Sequence, residues 1–141
     1  MIRIGENLNV MVKKIGAAMK DRDPKPIQEL AIAETKAGVD YIDINLGPAR
    51  KEGGPLMEWV VKTVQEVTDL PLYLDTINTE ALEAGLKAYK NKKGRAVINS
   101  IMARPESMEA KFPLAKKYDA GLVALLWGPA GLPRDASERG V

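Results

Sequence analysis

Polar and apolar side chains alternate along residues 41–46, which read YIDINL. Successive side chains of a β-strand point to opposite faces of its sheet. The strand therefore has two unlike faces: one carries Tyr41, Asp43 and Asn45, and the other carries Ile42, Ile44 and Leu46. The aliphatic face suits packing against helices, whereas the polar face needs a wet or functional environment.

Three further apolar runs also end in a carboxylate or an amide, at Glu6-Asn7, at Asp75 and at Asn99. Burying such a group without a partner costs about 2–7 kcal/mol for an amide or hydroxyl, and more for a charge. The carboxyl ends of parallel strands lie at one edge of a sheet, where α/β proteins place their sites. We therefore predict one polar pocket formed by Glu6, Asp43, Asn45, Asp75 and Asn99.

Each of these residues also has a simpler interpretation when it is taken alone. Asp75 or Asn78 could cap the helix that follows, and Asn99 could belong to a strand-end turn. Glu6 could lie in the first turn after a strand, and Asp43 could pair with a nearby lysine or arginine. The functional interpretation depends on all of them occurring at the same end of successive strands.

Strand-like and helix-like patterns alternate along the whole chain, which predicts an α/β fold with a parallel sheet. Strands are predicted to begin near Ile2, Val39, Leu70, Arg95 and Gly121. Helices are predicted over 12–22, 24–37, 55–68, from 78 or 79 to before 94, and from 105, the last carrying Met108, Phe112 and Ala115. The fifth strand, 122–127, is almost wholly apolar and is predicted to be buried on both faces, and a loop is predicted from residue 128.

The position of Asp43 favours a barrel-type arrangement of this sheet. In a doubly wound open sheet helices cover both faces, and a carboxylate in the middle of a strand is unfavourable there. In a barrel the inward face opens to the site at its upper end.

Composition excludes several classes of function. The chain has 141 residues, which is the size of one domain. Its 21 basic and 19 acidic residues leave a net charge of +2, and the sequence shows no cluster of basic residues of the kind that binds nucleic acid. It contains no cysteine and no histidine, so thiolate and imidazole chemistry and the metal sites built from them are excluded. No apolar run approaches the roughly 20 residues that span a bilayer, and no signal peptide is recognised. We expect a cytoplasmic protein without a membrane partner.

Carboxylates and amides at strand ends suit a flat heterocycle. A carboxylate accepts from two adjacent N–H groups of an aminopyrimidinone ring, and an asparagine both donates and accepts along the ring edge. Purines and pterins both present such edges.

At these residues the sequence resembles the pterin-binding methyltransferase family, and in particular the methyltetrahydrofolate:corrinoid/iron–sulfur protein methyltransferases. The folate module of cobalamin-dependent methionine synthase and dihydropteroate synthase share parts of the pattern. The stretches that carry the resemblance follow one another in family order: 4–9 IGENLN, 43–48 DINLGP, 57–59 MEW, 74–78 LDTIN, 83–87 EAGLK and 98–100 INS.

The resemblance implies a TIM (β/α)8 barrel, of which residues 1–141 would be a single pterin-binding domain containing the N-terminal five strands. A full barrel takes about 250 residues. Methyltetrahydrofolate would bind by its pterin ring, and its N5-methyl group would pass to a cob(I)alamin or other corrinoid on a partner, a corrinoid (iron–sulfur) protein. Asp75 and Asn99 match the residues that hold the pterin, and Glu6, Asp43 and Asn45 match the same polar floor.

The resemblance assigns no catalytic residue in this chain, and we expect weak or absent turnover from the chain alone. A homodimer or a barrel-completing second chain is the expected assembly. The alternative function is a non-catalytic five-stranded α/β module that binds a ligand or dimerises. Folate affinity that depends on Asp75 distinguishes the first function from this alternative.

Overall fold

A computed structural model describes residues 1–47, 51–102 and 104–125. Strands and helices alternate as predicted, with two helices after the first strand. The elements are β1 (Ile4–Asn9), α1 (Lys13–Asp21), α2 (Pro24–Lys36), β2 (Tyr41–Gly47), α3 (Gly53–Gln65), β3 (Leu72–Thr76), α4 (Thr79–Ala88), β4 (Val97–Met102), α5 (Pro105–Lys117) and β5 (Gly121–Leu125).

The strands of the described residues form one parallel sheet in the order β1-β2-β3-β4-β5. Every strand therefore lies beside the strand that follows it in the chain. A flavodoxin-like doubly wound sheet instead has the order 2-1-3-4-5, in which the chain reverses its direction across the sheet. The consecutive order confirms the α/β barrel-type prediction.

The outer face of the sheet is aliphatic and is covered by the helices. Ile42 and Ile44 of β2 are fully buried, and Leu46 is nearly so, which confirms the faces predicted for this strand. The fully buried partners of this face come from three other strands and from the helices: Leu8, Leu72, Leu74, Ile98, Ile27, Ala31, Met57, Val60, Val61, Val64, Ala81 and Leu82.

The opposite, inner face of the sheet is concave. Asn99 Nδ2 on β4 donates a hydrogen bond to Asp43 Oδ1 on β2 at 3.2 Å, across the intervening strand β3. Neighbouring strands lie about 4.8 Å apart, so β2 and β4 are separated by two such steps. Direct contact between two short side chains over that span is what a sheet curved toward barrel closure provides.

Local signals place the helix ends close to their predicted positions. The Asp23 side chain caps α2 by accepting from Lys25 N at 3.1 Å, and Gly38 follows the helix with a φ of +83°. The helix predicted over 55–68 begins earlier, at Gly53, and ends at Gln65. Beyond its end, the Thr68 amide still donates to Val64 O at 3.2 Å, and the Thr68 hydroxyl accepts from Leu70 N at 3.3 Å.

On α5, Met108 and Phe112 are exposed, and the buried residues are Lys111, Leu114 and Ala115. The prediction that the fifth strand is buried on both faces is wrong. Strand β5 is only partly buried, with Ala124 exposed, because β5 pairs with β4 alone and is an edge of the sheet in the described residues. Residues 126–127 of the predicted strand and the predicted loop after them lie outside the described residues.

No helix in the described part of the chain is long and apolar enough to cross a membrane.

Candidate functional site

Three polar side chains stand in one row at the carboxyl end of the sheet. The strand register sets Asn45 of β2 beside Asp75 of β3, and Asp75 beside Asn99 of β4. All three are half-buried on the inner face. Asn45 Nδ2 donates to Asp75 Oδ2 at 2.9 Å, which leaves the second carboxylate oxygen of Asp75 as an acceptor. We call Asn45, Asp75 and Asn99 the polar row.

Asp43 lies one step below the polar row on β2 and is almost completely buried. Its Oδ1 accepts from Asn99 Nδ2 at 3.2 Å. Burial raises the pKa of Asp43 to about 7, against the opposing effect of the Asn99 hydrogen bond, and the negative charges of Asp75, Glu6 and Glu34 add to the rise. This carboxyl therefore titrates near neutral pH.

Glu6 acts on the site through its charge. It lies in β1 where the register with β2 shifts between Gly5 and Leu8, and its side chain is exposed. Its negative charge raises the pKa of both Asp43 and Asp75. The structure therefore brings four of the five predicted residues into two hydrogen-bonded pairs and places the fifth, Glu6, within electrostatic range of them.

A cavity of about 300 Å³ adjoins the polar row. Asp75 and Asn99 line it from the sheet, and Ser107 and Lys111 line it from α5. Burial raises the pKa of Asp75, and the positive charge of Lys111 works against this rise. The cavity gives a ligand access to the carboxylate and amide groups of the row.

The helix-capping interpretation of this strand end applies to Asn78 rather than to Asp75. The Asn78 side chain accepts from Ala81 N at 3.1 Å and caps α4. Asp75 is three residues earlier, inside β3, and its carboxylate binds Asn45 instead. Sequence alone left both assignments open, because an acid and an amide at a strand-to-helix turn are each good caps.

Two charged residues that act on the site were missed by the sequence interpretation, Glu34 and Lys111. Glu34 on α2 is buried and accepts from Asn7 N at 3.2 Å through Oε1, and its Oε2 has no hydrogen-bond partner among the described residues. Burial raises its pKa. Its spacing from Ile27 and Ala31, seven and three residues, was the available signal, since it places Glu34 on the apolar face of α2.

The site offers alternating acceptors and donors and a titratable carboxyl near neutral pH. Carboxylate oxygens of Asp75 accept from ring N–H groups, and the amides of Asn45 and Asn99 can do either. This donor and acceptor set fits the edge of an aminopyrimidinone ring such as that of a pterin.

A sequence model of the pterin-binding enzymes matches residues 5–140 of the chain. The chain belongs to the pterin-binding enzyme family. The resemblance seen in the strand-end motifs is thereby confirmed, and with it the barrel-type fold class, since the sheet has the consecutive parallel order of such a barrel.

Curated relatives of this pterin-binding chain include methyltransferases. The chain is 32% identical over 141 residues to a methylcorrinoid:tetrahydrofolate methyltransferase of Eubacterium limosum, an alignment covering 99% of this chain and 51% of that protein. It is 29% identical over 142 residues to methionine synthase of Mycobacterium tuberculosis, covering 96% of this chain and 12% of that protein. The corresponding values for methionine synthase of Mycobacterium leprae are 28% over 145 residues, 99% and 12%.

The chain thus spans about half the length of the first of these relatives and a smaller part of the other two.

Proposed function

We propose that this chain binds a reduced folate by its pterin ring on the polar row and takes part in methyl transfer between folate N5 and a corrinoid. The observation that carries the proposal is the register that sets Asn45, Asp75 and Asn99 side by side at the carboxyl end of the sheet. Family membership supports the pterin as the ligand.

Each site residue has a role that follows from its environment. Asp75 accepts from two adjacent N–H groups of the ring, and Asn45 orients that carboxylate through its 2.9 Å hydrogen bond. Asn99 offers its amide oxygen and its second Nδ2 hydrogen to the ring, because the bond to Asp43 uses one Nδ2 hydrogen. Glu6 and Asp43 complete the polar floor.

N5 must gain a proton when it gives up the methyl group. When the methyl group passes from N5 to the cobalt of a reduced corrinoid, the cobalt electron pair forms the new bond. The N–C pair stays on N5, which then takes a proton. Stabilisation of that nitrogen in the transition state raises the rate. Because the pKa of Asp43 is about 7, this carboxyl can hold a proton in the site at neutral pH.

The proposal covers methyl transfer in either direction. The name of the Eubacterium limosum relative writes the transfer from methylcorrinoid to tetrahydrofolate, whereas the sequence resemblance implies methyltetrahydrofolate as the donor. Both directions pass through the same pterin-bound state. We propose a corrinoid protein as the second reactant in either direction, and a homodimer or a barrel-completing second chain as the assembly.

Calorimetric titration of the purified chain with methyltetrahydrofolate, and separately with tetrahydrofolate, tests the proposal. We expect saturable binding that Asp75→Asn weakens by about tenfold or more, equal to about 1.4 kcal/mol. The matched control is Asp21→Asn, which makes the same chemical change at an exposed aspartate near the end of α1.

The control variant should bind as the wild type does. Absence of binding in a folded sample, or equal weakening by both substitutions, would contradict the proposed function. Unchanged affinity in Asp75→Asn, with binding intact, would place the ligand elsewhere on the molecule.

A further inference from the structure

Lys111 is a buried lysine in the wall of the candidate site. It lies on α5 with 7% of its surface exposed, and its Nζ donates to the carbonyl oxygen of Ser100 at 2.6 Å. Ser100 follows Asn99 directly on β4. Lysine is rarely buried to this extent without a partner for its charge, and a neutral carbonyl alone does not neutralise it.

The negative charge opposite Lys111 is Asp75. Both residues line the cavity of about 300 Å³ between the ends of β3 and β4 and the first turns of α5. A ligand held by Asp75 therefore lies near the charge of Lys111 as well.

The surroundings of Asp75 are otherwise acidic. Glu6 faces it from β1, Asp43 from β2, and Glu106 lines the same cavity from α5. The residues that α4 and β4 bring to the cavity are uncharged: Thr79, Asn99, Ser100 and Met102. Among the described residues, Lys111 is the cation that acts on Asp75.

We infer that Lys111 is a positioning residue whose charge keeps Asp75 in the carboxylate form, so that both oxygens of Asp75 can accept from the ligand. This inference rests on the proposed function. It extends that function to the range of pH over which the site binds a pterin.

The titration behaviour of the two groups agrees with this geometry. Burial raises the pKa of Asp75, and the positive charge of Lys111 opposes this rise. Burial lowers the pKa of Lys111, and the negative charge of Asp75 opposes this fall. Removing the cation should therefore raise the pKa of Asp75 further. A protonated Asp75 loses one acceptor, and ligand affinity should then fall on the acidic side of neutrality.

Three variants separate charge from packing. Lys111→Gln removes the charge and retains a donor for Ser100, Lys111→Arg retains the charge, and Lys116→Gln removes the same charge from an exposed position on α5. The carboxyl carbon of Asp75 is followed by NMR from pH 3 to pH 8, and the methyltetrahydrofolate dissociation constant is measured over the same range.

In Lys111→Gln we expect a higher pKa for Asp75. Affinity should be weakened by up to about tenfold at pH values between the pKa of Asp75 in the wild type and that in the variant, and it should recover as pH rises further. Lys111→Arg and Lys116→Gln should follow the wild type. An unchanged pKa of Asp75 in Lys111→Gln would overturn the inference.

The two proposals fail in different ways. If the wild type binds no folate at any pH, the proposed function is wrong, and the Asp75 titration still decides the role of Lys111. If Lys111→Gln does not fold, the reciprocal variant Asp75→Asn decides it. The pKa of Lys111, followed through its side-chain carbon, should fall in that variant, and an unchanged value would contradict the inference.

Discussion

The outer and inner faces of the sheet differ in what they bury. The outer face buries aliphatic side chains against helices, as at Ile44 and Leu74. The inner face buries the carboxyl group of Asp43 beneath half-buried amides and a second carboxylate. Burying an aliphatic side chain stabilises the fold by about 1.5–3 kcal/mol, whereas burying a charge opposes folding. The outer face therefore stabilises the fold, whereas the buried carboxyl group of the inner face lowers its stability.

The largest expected effect comes from truncating the outer face. Ile44→Ala should lower the free energy of unfolding by about 2–5 kcal/mol, because Ile44 is fully buried and the substitution leaves a cavity. Urea denaturation measures it. A loss below about 1 kcal/mol would show that the outer face is less tightly packed than its burial indicates.

The next largest effect should be an increase in the free energy of unfolding, caused by a substitution on the inner face. The pKa of Asp43 is about 7 in the folded chain, against an ordinary value of 3.8 for an aspartate free in water. Between these values the folded protein holds a proton that the unfolded chain has released, so the free energy of unfolding falls as pH rises through this window.

Asp43→Asn should remove that dependence and stabilise the protein at pH 8 by about 1–3 kcal/mol, an amount reduced by solvent screening. The Asn99 hydrogen bond is retained, since an amide oxygen also accepts. Denaturation curves from pH 4 to pH 8 provide the test. A variant whose stability falls with pH as steeply as that of the wild type would refute the assignment.

Asn45→Ala should have a smaller effect than its neighbour Ile44→Ala. It removes the hydrogen bond to Asp75 and the one that the Asn45 side-chain oxygen accepts from Gly47 N at 2.7 Å. We expect a loss of about 1 kcal/mol in unfolding free energy, together with weaker folate binding. Equal destabilisation by the two alanine variants would contradict the expectation that the outer face contributes more to stability than the inner face.

The smallest effect should come from Glu34→Gln. The amide oxygen still accepts from Asn7 N, and the variant cannot carry the buried charge of Glu34, whose Oε2 has no partner in the part of the chain that the structure describes. Since burial raises the pKa of Glu34, the gain in stability should appear only as pH rises, and it should be smaller than that of Asp43→Asn. Glu29→Gln, an exposed change on the same helix, is the control, and a loss of stability at pH 8 in Glu34→Gln would contradict this interpretation.

Much of the fold was predictable because local signals carry it. The period of two in residues 41–46 gave the correct faces of β2, and Asp23 with Gly38 marked the ends of α2. The four polar strand ends were predicted to meet at one edge, because the carboxyl ends of parallel strands lie at the same edge of a sheet.

The parts that failed depend on tertiary contacts. The burial of Lys111 on α5 could not be predicted from the sequence, because it depends on the hydrogen bond that Lys111 Nζ donates to the carbonyl oxygen of Ser100. Full burial of β5 requires a neighbouring strand on the side away from β4, and no local sequence pattern specifies such a neighbour. The hydrogen bond between Asp43 and Asn99 joins residues 56 apart in the chain, and its register could not be read from either segment.

Backbone amide NMR of the chain during titration with methyltetrahydrofolate tests the central claim most directly, that the polar row on the inner face is the pterin site. The largest shifts should occur at Asn45, Asp75 and Asn99, with little change at the cavity of about 270 Å³ lined by Lys62, Lys90 and Lys92. Shifts concentrated at that second cavity, or none at the polar row while the ligand binds, would contradict the account.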